Sequence, residues 1–329
     1  MRGSQNPWLA VRPVGDRVQQ ARALRRIYES FQSGRDVEGS VRAVVAQSWA
    51  RSAEAGVDPV EHMAPIVIDE EEIEERWSHH PLYPVLPMLR DLLSAATTES
   101  SHMLVVSDAH GVLMWIEGHH RVIEATDGMH FVCGADWSEQ GAGTNALGTA
   151  IAVDHPVQIF SAEHFNRIVH PWQCSGAPIH DPATGEILGV IDLTGPLRAA
   201  HPHTLALVTA AAGMAEAYLR HELERRDSLL REAYMERIGG AREPTALVRP
   251  NGTVIAAVPH DWTPLAPAAP EPGSELRLAD GSIADVEALP GHDGFVLWRR
   301  EPGARGAHEP AGVRLELLTR RPRIVLPDG

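Results

Sequence analysis

The chain has 329 residues, 43% of them apolar, with 29 basic against 44 acidic side chains and a formal net charge of −15. That apolar content suits two or three folded domains rather than a disordered chain, and the acidic balance excludes an extensive phosphate-binding surface on these residues. No apolar run approaches the ~18 residues of a membrane span, no apolar leader opens the chain, and two cysteines cannot staple a scaffold, so a soluble cytoplasmic protein in a reducing compartment is expected.

Residues 1–80 read as a helical region. From Asp16 to Ser33, Val18, Ala21, Leu24, Ile27, Tyr28 and Phe31 recur at spacings of three and four, which predicts an amphipathic helix. Val41–Ala55 repeats the pattern until Gly56 and Pro59 stop it, and the acidic run from Asp69 opens a third helix with charges that suit its dipole. From Met103 the period becomes that of strands, with a turn at Asp108–Gly111 between Met103–Ser107 and Val112–Ile116. Val157–Phe160, Ala177–His180 and Ile187–Leu193 supply further strands, the last two joined by a turn at Asp181–Gly185.

Pro202–Ile238 predicts one long helix, in which Leu205, Val208, Ala212, Ala215, Leu219, Leu223, Arg226 and Leu230 follow an a/d path. Its first half covers a sheet or joins a dimer seam; its Arg- and Glu-rich second half suits an exposed seam. Beyond Gly240, short apolar runs separated by Pro250-Asn-Gly252, Asp280-Gly281 and Gly291–Gly294 predict a small β domain, all-β or PAS-like, over residues 241–300. Pro259–Gly273 and Pro302–Gly312 read as linkers or long loops. Val313–Leu317 and Arg323–Gly329 read as strands that cannot make a core alone, so residues 301–329 are expected to be a linker and the start of a further module.

Four words in one order then stand out: Trp137-Ser-Glu139, Gly143-Thr-Asn145-Ala-Leu-Gly148-Thr-Ala, Cys174-Ser-Gly-Ala-Pro178-Ile, and Leu188-Gly-Val-Ile-Asp192-Leu-Thr-Gly195. Ser48-Trp49-Ala50-Arg51-Ser52 and Gly56-Val57-Asp58-Pro59 precede them. The series resembles the GAF sensory domain of bacterial regulators of the acetoin/glycerol type, over roughly residues 40–222. The resemblance implies an α+β fold: a GAF domain over 81–222, an antiparallel sheet flanked by helices, with the 202–238 helix signalling from its end. It also implies a small-molecule effector (an alcohol, ketone, diol or aromatic), a homodimer, and DNA contacted only through a C-terminal module beyond this sequence. No G-x-x-x-x-G-K-[ST] occurs, and no helix-turn-helix pattern follows residue 312.

Several side chains are candidates for the effector site, each with a plainer reading beside it. Trp115, Trp137 and Trp172 suit a pocket wall or the core. Cys174 suits a buried structural thiol or a redox sensor; Cys133 departs from the family pattern. Asp192 sits in a run that reads as sheet core, and with Glu139 it needs a partner if buried, either a ligand hydroxyl or a loop amide. Thr144 and Asn145 belong to a glycine-rich stretch that reads as a capped helix packed tightly on the sheet rather than a phosphate cradle. No cofactor is expected: the 18 histidines, among them His164 and His170, lack zinc or haem ligand spacing. A redox sensor using Cys174 and Cys133, a GAF module that only dimerises, and a cysteine-dependent GAF enzyme are the alternatives.

Overall fold

The computed structural model describes residues 6–11, 15–60, 63–98, 101–260, 262, 264, 270–278 and 280–300, and the backbone of 314–316 and 323–325. Two units divide the chain, residues 1–223 and 224–329.

In the first unit, α1 (Arg17–Gln32) is capped by Asp16, which accepts from the Val18 and Gln19 amides. Next come α2 (Ala43–Glu54), α3 (Glu70–His79) with Asp69 as its cap, and α4 (Leu86–Thr98) after a 3₁₀ turn at Tyr83–Val85. The prolines of residues 81–87 hide α4 from a reading by periodicity, yet Pro87 occupies its first turn, where no amide is needed. The strands are β1 (Met103–Asp108), β2 (Leu113–Gly118), β3 (Val157–Phe160), β4 (Trp172–His180) and β5 (Ile187–Pro196). Between β2 and β3 lie α5 (His120–Glu124), α6 (Glu139–Ala142) and α7 (Ala146–Val153). The sheet is antiparallel throughout, in the order β2-β1-β5-β4-β3. Mixed helix and antiparallel sheet is thus the observed class.

Helices cover both faces of this sheet. One face presents Met103, Val105, Ile159, Cys174 and Val190 to a core that includes Ala146, Leu147 and Ala150 of α7 and Leu24, Tyr28 and Trp49 of α1 and α2. The other presents Leu104, Val106, Ile179, Ile191 and Leu193 to Ile73 and Trp77 of α3, Leu89 and Leu93 of α4, and Leu205, Val208 and Ala212 of α8 (His203–Ile238). The N-terminal helices therefore share a core with the sheet. Burial on both faces explains why the strands read as apolar runs without alternation.

In the second unit, β6 (Thr245–Val248), β7 (Val254–Val258), β8 (Glu275–Arg277), β9 (Ile283–Ala288) and β10 (Phe295–Arg299) form an antiparallel sheet ordered β7-β6-β10-β9-β8. Leu230, Tyr234 and Ile238 of α8 pack on its Leu247, Val296 and Trp298, while Trp262 packs with Val248, Val286 and Leu297 on the other face. Part of the a/d path thus packs within the chain, while its Leu219 and Leu223 are half-buried and Arg226 is exposed. Leu205, Val208, Ala212, Ala215 and Leu230 are buried within the chain, leaving Met214, Tyr218, Leu229 and Met235 exposed. β11 (Arg314–Glu316) pairs with β12 (Arg323–Val325). The linker expected over Pro302–Gly312, and residues 261, 263 and 265–269 of the Pro259–Gly273 loop, lie outside the described residues.

Candidate functional site

β5 is the central strand of the first sheet, and its period of two puts Val190, Asp192 and Thr194 on the α7 face and Ile191 and Leu193 on the other. Opposite them, β4 sets Gly176 beside Asp192 and Cys174 beside Thr194; β1 sets Val105 beside Asp192 and Met103 beside Thr194. Three polar groups thereby meet in the middle of an apolar face. Thr194 Oγ1 lies 2.5 Å from Asp192 Oδ2 and 3.0 Å from Cys174 Sγ. Asp192 is fully buried, and its Oδ1 has no hydrogen-bond partner among the described residues.

Burial dominates the electrostatics. It pushes the Asp192 carboxyl up to about 7, against the Thr194 hydroxyl and the Ser175 amide, which favour the anion. The Cys174 thiol is raised well above its ordinary value by burial and then by the Asp192 charge, against the Thr194 hydrogen bond. Cys133, half-buried, is also raised by burial. Neither is a thiolate near neutral pH, and they belong to the cores on opposite faces of the sheet, both free. That arrangement does not serve a thiolate nucleophile with a resolving partner.

Glu139 and Thr144 lie elsewhere, in a clasp that ties α2 to α6 and α7. Ser48 Oγ bonds Glu139 Oε1, lies 2.7 Å from Thr144 Oγ1 and 3.2 Å from Thr149 Oγ1, and Thr149 donates to Glu139 over 2.9 Å. Arg51 adds a bidentate pair to the buried Glu139 carboxylate. Asn145 caps α7, accepting from the Gly148 amide and donating to the carbonyls of Trp137 and Gly143. Gly148 is required there: a Cβ would sit 2.6 Å from the Glu139 nitrogen and 2.8 Å from the Trp137 oxygen. Gly176 likewise lets the Ala146 carbonyl approach β4. The glycine-rich stretch is thus a close-packing device.

Trp137 is buried in the same core as Cys174, edge-on to Phe131, and donates to the His130 carbonyl; Trp172 joins that core. Trp115 lies on the opposite face, stacked on Trp77. Of the nine candidates, then, Cys174 and Asp192 meet through Thr194, Trp137 and Trp172 share their core, Glu139, Thr144 and Asn145 hold the covering helices, and Trp115 and Cys133 stand across the sheet. Thr194, Ser48 and Arg51 were missed. Strand periodicity from Asp192 gives Thr194; nothing local gives the other two. Among the described residues, no three His, Cys, Asp or Glu side chains gather as for a metal, and no helix is long and apolar enough to cross a membrane.

The family described as "MimR, N-terminal domain" matches residues 20–217. The chain belongs to this family. Its relatives include an uncharacterized 47.3 kDa protein in the thcA 5′ region of Rhodococcus erythropolis, 47% identical over 67% of this chain and 52% of that one. The acetoin dehydrogenase operon transcriptional activator AcoR of Bacillus subtilis is 34% identical over 67% of this chain and 36% of its own. The propane 2-monooxygenase operon transcriptional activator MimR of Mycolicibacterium smegmatis is 31% identical over 66% and 36%. The matched part thus spans about half or less of these relatives' length. In the E. coli DhaR(N)–DhaL complex, one chain superposes with a TM-score of 0.54 at 15% identity, covering 79% of this chain and 99% of that one. That likeness speaks to the fold.

Proposed function

We propose that this chain is the sensory part of a transcriptional regulator, in which a GAF domain over residues 81–222 takes a small metabolite on the α7 face of its sheet. The observation that carries this reading is Asp192: a fully buried carboxyl with one oxygen unpaired, in a core built mostly from apolar side chains. An unmet polar atom there costs stability unless a partner arrives. Two relatives activate operons named for acetoin and propane, both molecules of few carbons. A ligand of about six heavy atoms gains at most about 1.5 kcal/mol per atom, so micromolar or weaker affinity is expected.

The 1–80 helices complete the sensor core, α8 carries the change towards the PAS-like domain over 241–300, and DNA is reached through a module beyond this sequence. A coupling of ~1–3 kcal/mol suffices for a useful response. Dimerisation uses the exposed side of α8, where Met214 is 45% and Tyr218 37% exposed. The protein acts in the cytoplasm and has no catalytic role. A thermal-shift screen of small alcohols, ketones, diols and aromatics, with sedimentation for the oligomeric state, tests this. A saturable rise in melting temperature and a dimer are expected; a monomer that responds to no compound defeats the reading.

A further inference from the structure

The hydrogens around Asp192 restrict what it takes. Thr194 has one hydroxyl hydrogen and two neighbours, Cys174 Sγ and Asp192 Oδ2. The carboxylate oxygen is the stronger acceptor and takes it. Cys174 keeps its own hydrogen, because burial holds it as a thiol, and turns it to Thr194 Oγ1. The chain thus runs from thiol to hydroxyl to Oδ2, and although the Ser175 amide also favours the anion, Oδ1 makes no hydrogen bond among the described residues. Val105, Gly176 and Val190 beside it bring none through their side chains. The missing group is therefore a hydrogen-bond donor. The apolar core around it, with Met103, Ile159 and Trp172, penalises a charged ammonium far more than a neutral hydroxyl.

The geometry points to a small uncharged alcohol as the ligand, its hydroxyl hydrogen given to Asp192 Oδ1 and its hydrocarbon part laid on the apolar side chains of the α7 face. As a carboxylate, and not as the neutral acid that could itself donate, Asp192 is then the residue that separates alcohols from the matching ketones, which have no hydrogen to give. This rests on the sensory reading above and sharpens it. A site whose buried acceptor is met by one ligand and left bare by its analogue discriminates by about tenfold or more.

Saturation-transfer NMR on the full chain at about pH 8.5, where Asp192 is a carboxylate, tests it with matched pairs, from propan-2-ol and acetone to 1-phenylethanol and acetophenone. The wild type is expected to bind at least one alcohol about tenfold tighter than its ketone. Asp192→Asn, nearly isosteric and able to turn an amide hydrogen to the ligand, is expected to erase or reverse that preference. Ketones bound as tightly as alcohols by the wild type overturn the ligand class and leave the sensory reading standing. An alcohol preference that survives in Asp192→Asn overturns the assignment to this residue. Saturable binding of no member of the series overturns both readings.

Discussion

The two five-stranded sheets share one strand order, β2-β1-β5-β4-β3 and β7-β6-β10-β9-β8, but treat the polar groups of their central strands differently. In the first, β5 buries Asp192 and Thr194 and leaves Oδ1 bare. In the second, β10 buries Val296, Leu297 and Trp298, and the indole N–H reaches Glu287, itself held by Arg237. The connection after the second strand of each sheet differs to match. Residues 119–156 carry α5, α6 and α7, and α7 lies over the Asp192 face; residues 259–274 instead place Trp262 against their sheet. One topology thus carries two kinds of core, one roofed by a helical connection over a buried carboxyl, the other covered by a tryptophan.

The largest effect that tests this contrast is the pH dependence of Asp192. Its folded value of about 7 lies above the ordinary 3.8, so between those values the folded state holds a proton that the unfolded state has lost. Its contribution to stability therefore falls as pH rises from about 4 to about 7 and is level above, a total of about 4 kcal/mol at 1.36 kcal/mol per unit. Asp192→Asn removes that slope. Denaturant unfolding of both proteins at pH 4.5, 6 and 8 is expected to show the variant gaining on the wild type with rising pH. Parallel behaviour would mean that the carboxyl is hydrated, and the contrast with β10 would collapse.

Next in size is the clasp that holds the roof. Glu139→Ala leaves Arg51 and the hydroxyls of Ser48 and Thr149 without their carboxylate and is expected to cost about 3 kcal/mol, Arg51 regaining some hydration because its side chain is 37% exposed. Urea midpoints measure it. Gln at the same position keeps the shape and part of the hydrogen bonding and is expected to cost less. If Ala costs no more than a surface substitution, the roof over the Asp192 face does not depend on this tie.

These two results would also show how much the sequence motifs say. Ser48 and Arg51 of the first motif, Glu139 of the third, and Thr144 and Thr149 of the fourth meet in one clasp; Cys174 of the fifth is joined to Asp192 of the sixth through Thr194. The motifs were legible, but their pairing was not, because it joins positions about 90 and 20 residues apart. Periodicity placed α1, α2, β1, β2 and α8 within two residues or so, since each has a clear apolar rhythm. It shortened β4, whose early residues Gln173, Cys174 and Ser175 are poor strand formers buried on both faces, and it missed α4 among prolines. It did not show that Trp115 lies across the sheet from Asp192, because an isolated tryptophan carries no sign of which face it serves.

In the second unit the expected loss is smaller. Tyr234 of α8 meets the Thr245 carbonyl at 3.0 Å and its hydroxyl at 2.8 Å in a buried position. Tyr234→Phe is expected to cost about 1 kcal/mol, the net worth of such a bond with a bare carbonyl left behind. Hydrogen exchange should show the change in β6 and β10, with the amides of β5 unaffected. Loss of protection in β5 would mean that the two units open together.

The smallest effect concerns how each sheet is tied to α8. β4 and β9 occupy the same place in the two strand orders, and each reaches the helix through a side chain at its end. In β9 it is Glu287, paired with the always-charged Arg237. In β4 it is His180, whose Nδ1 lies 2.6 Å from Glu216 Oε1 of α8 and whose Nε2 lies 2.7 Å from Asp154 Oδ1 at the end of α7. Burial lowers the His180 pKa, but the hydrogen bonds and charges of Asp154 and Glu216 outweigh it, so the net shift is upward. A raised histidine contributes its stability fully below the unfolded value of 6.5 and loses it as pH climbs through the higher folded value. The first tie is therefore expected to loosen as pH rises above neutrality while the second does not. His180→Gln should cost less than about 1 kcal/mol at pH 6, as partly exposed pairs do, and nothing at pH 9. An NMR titration of the His180 ring gives the sign directly: a midpoint at or below 6.5 removes the distinction between the two ties, and one above it makes the link from the α7 roof to α8 weaker in alkali.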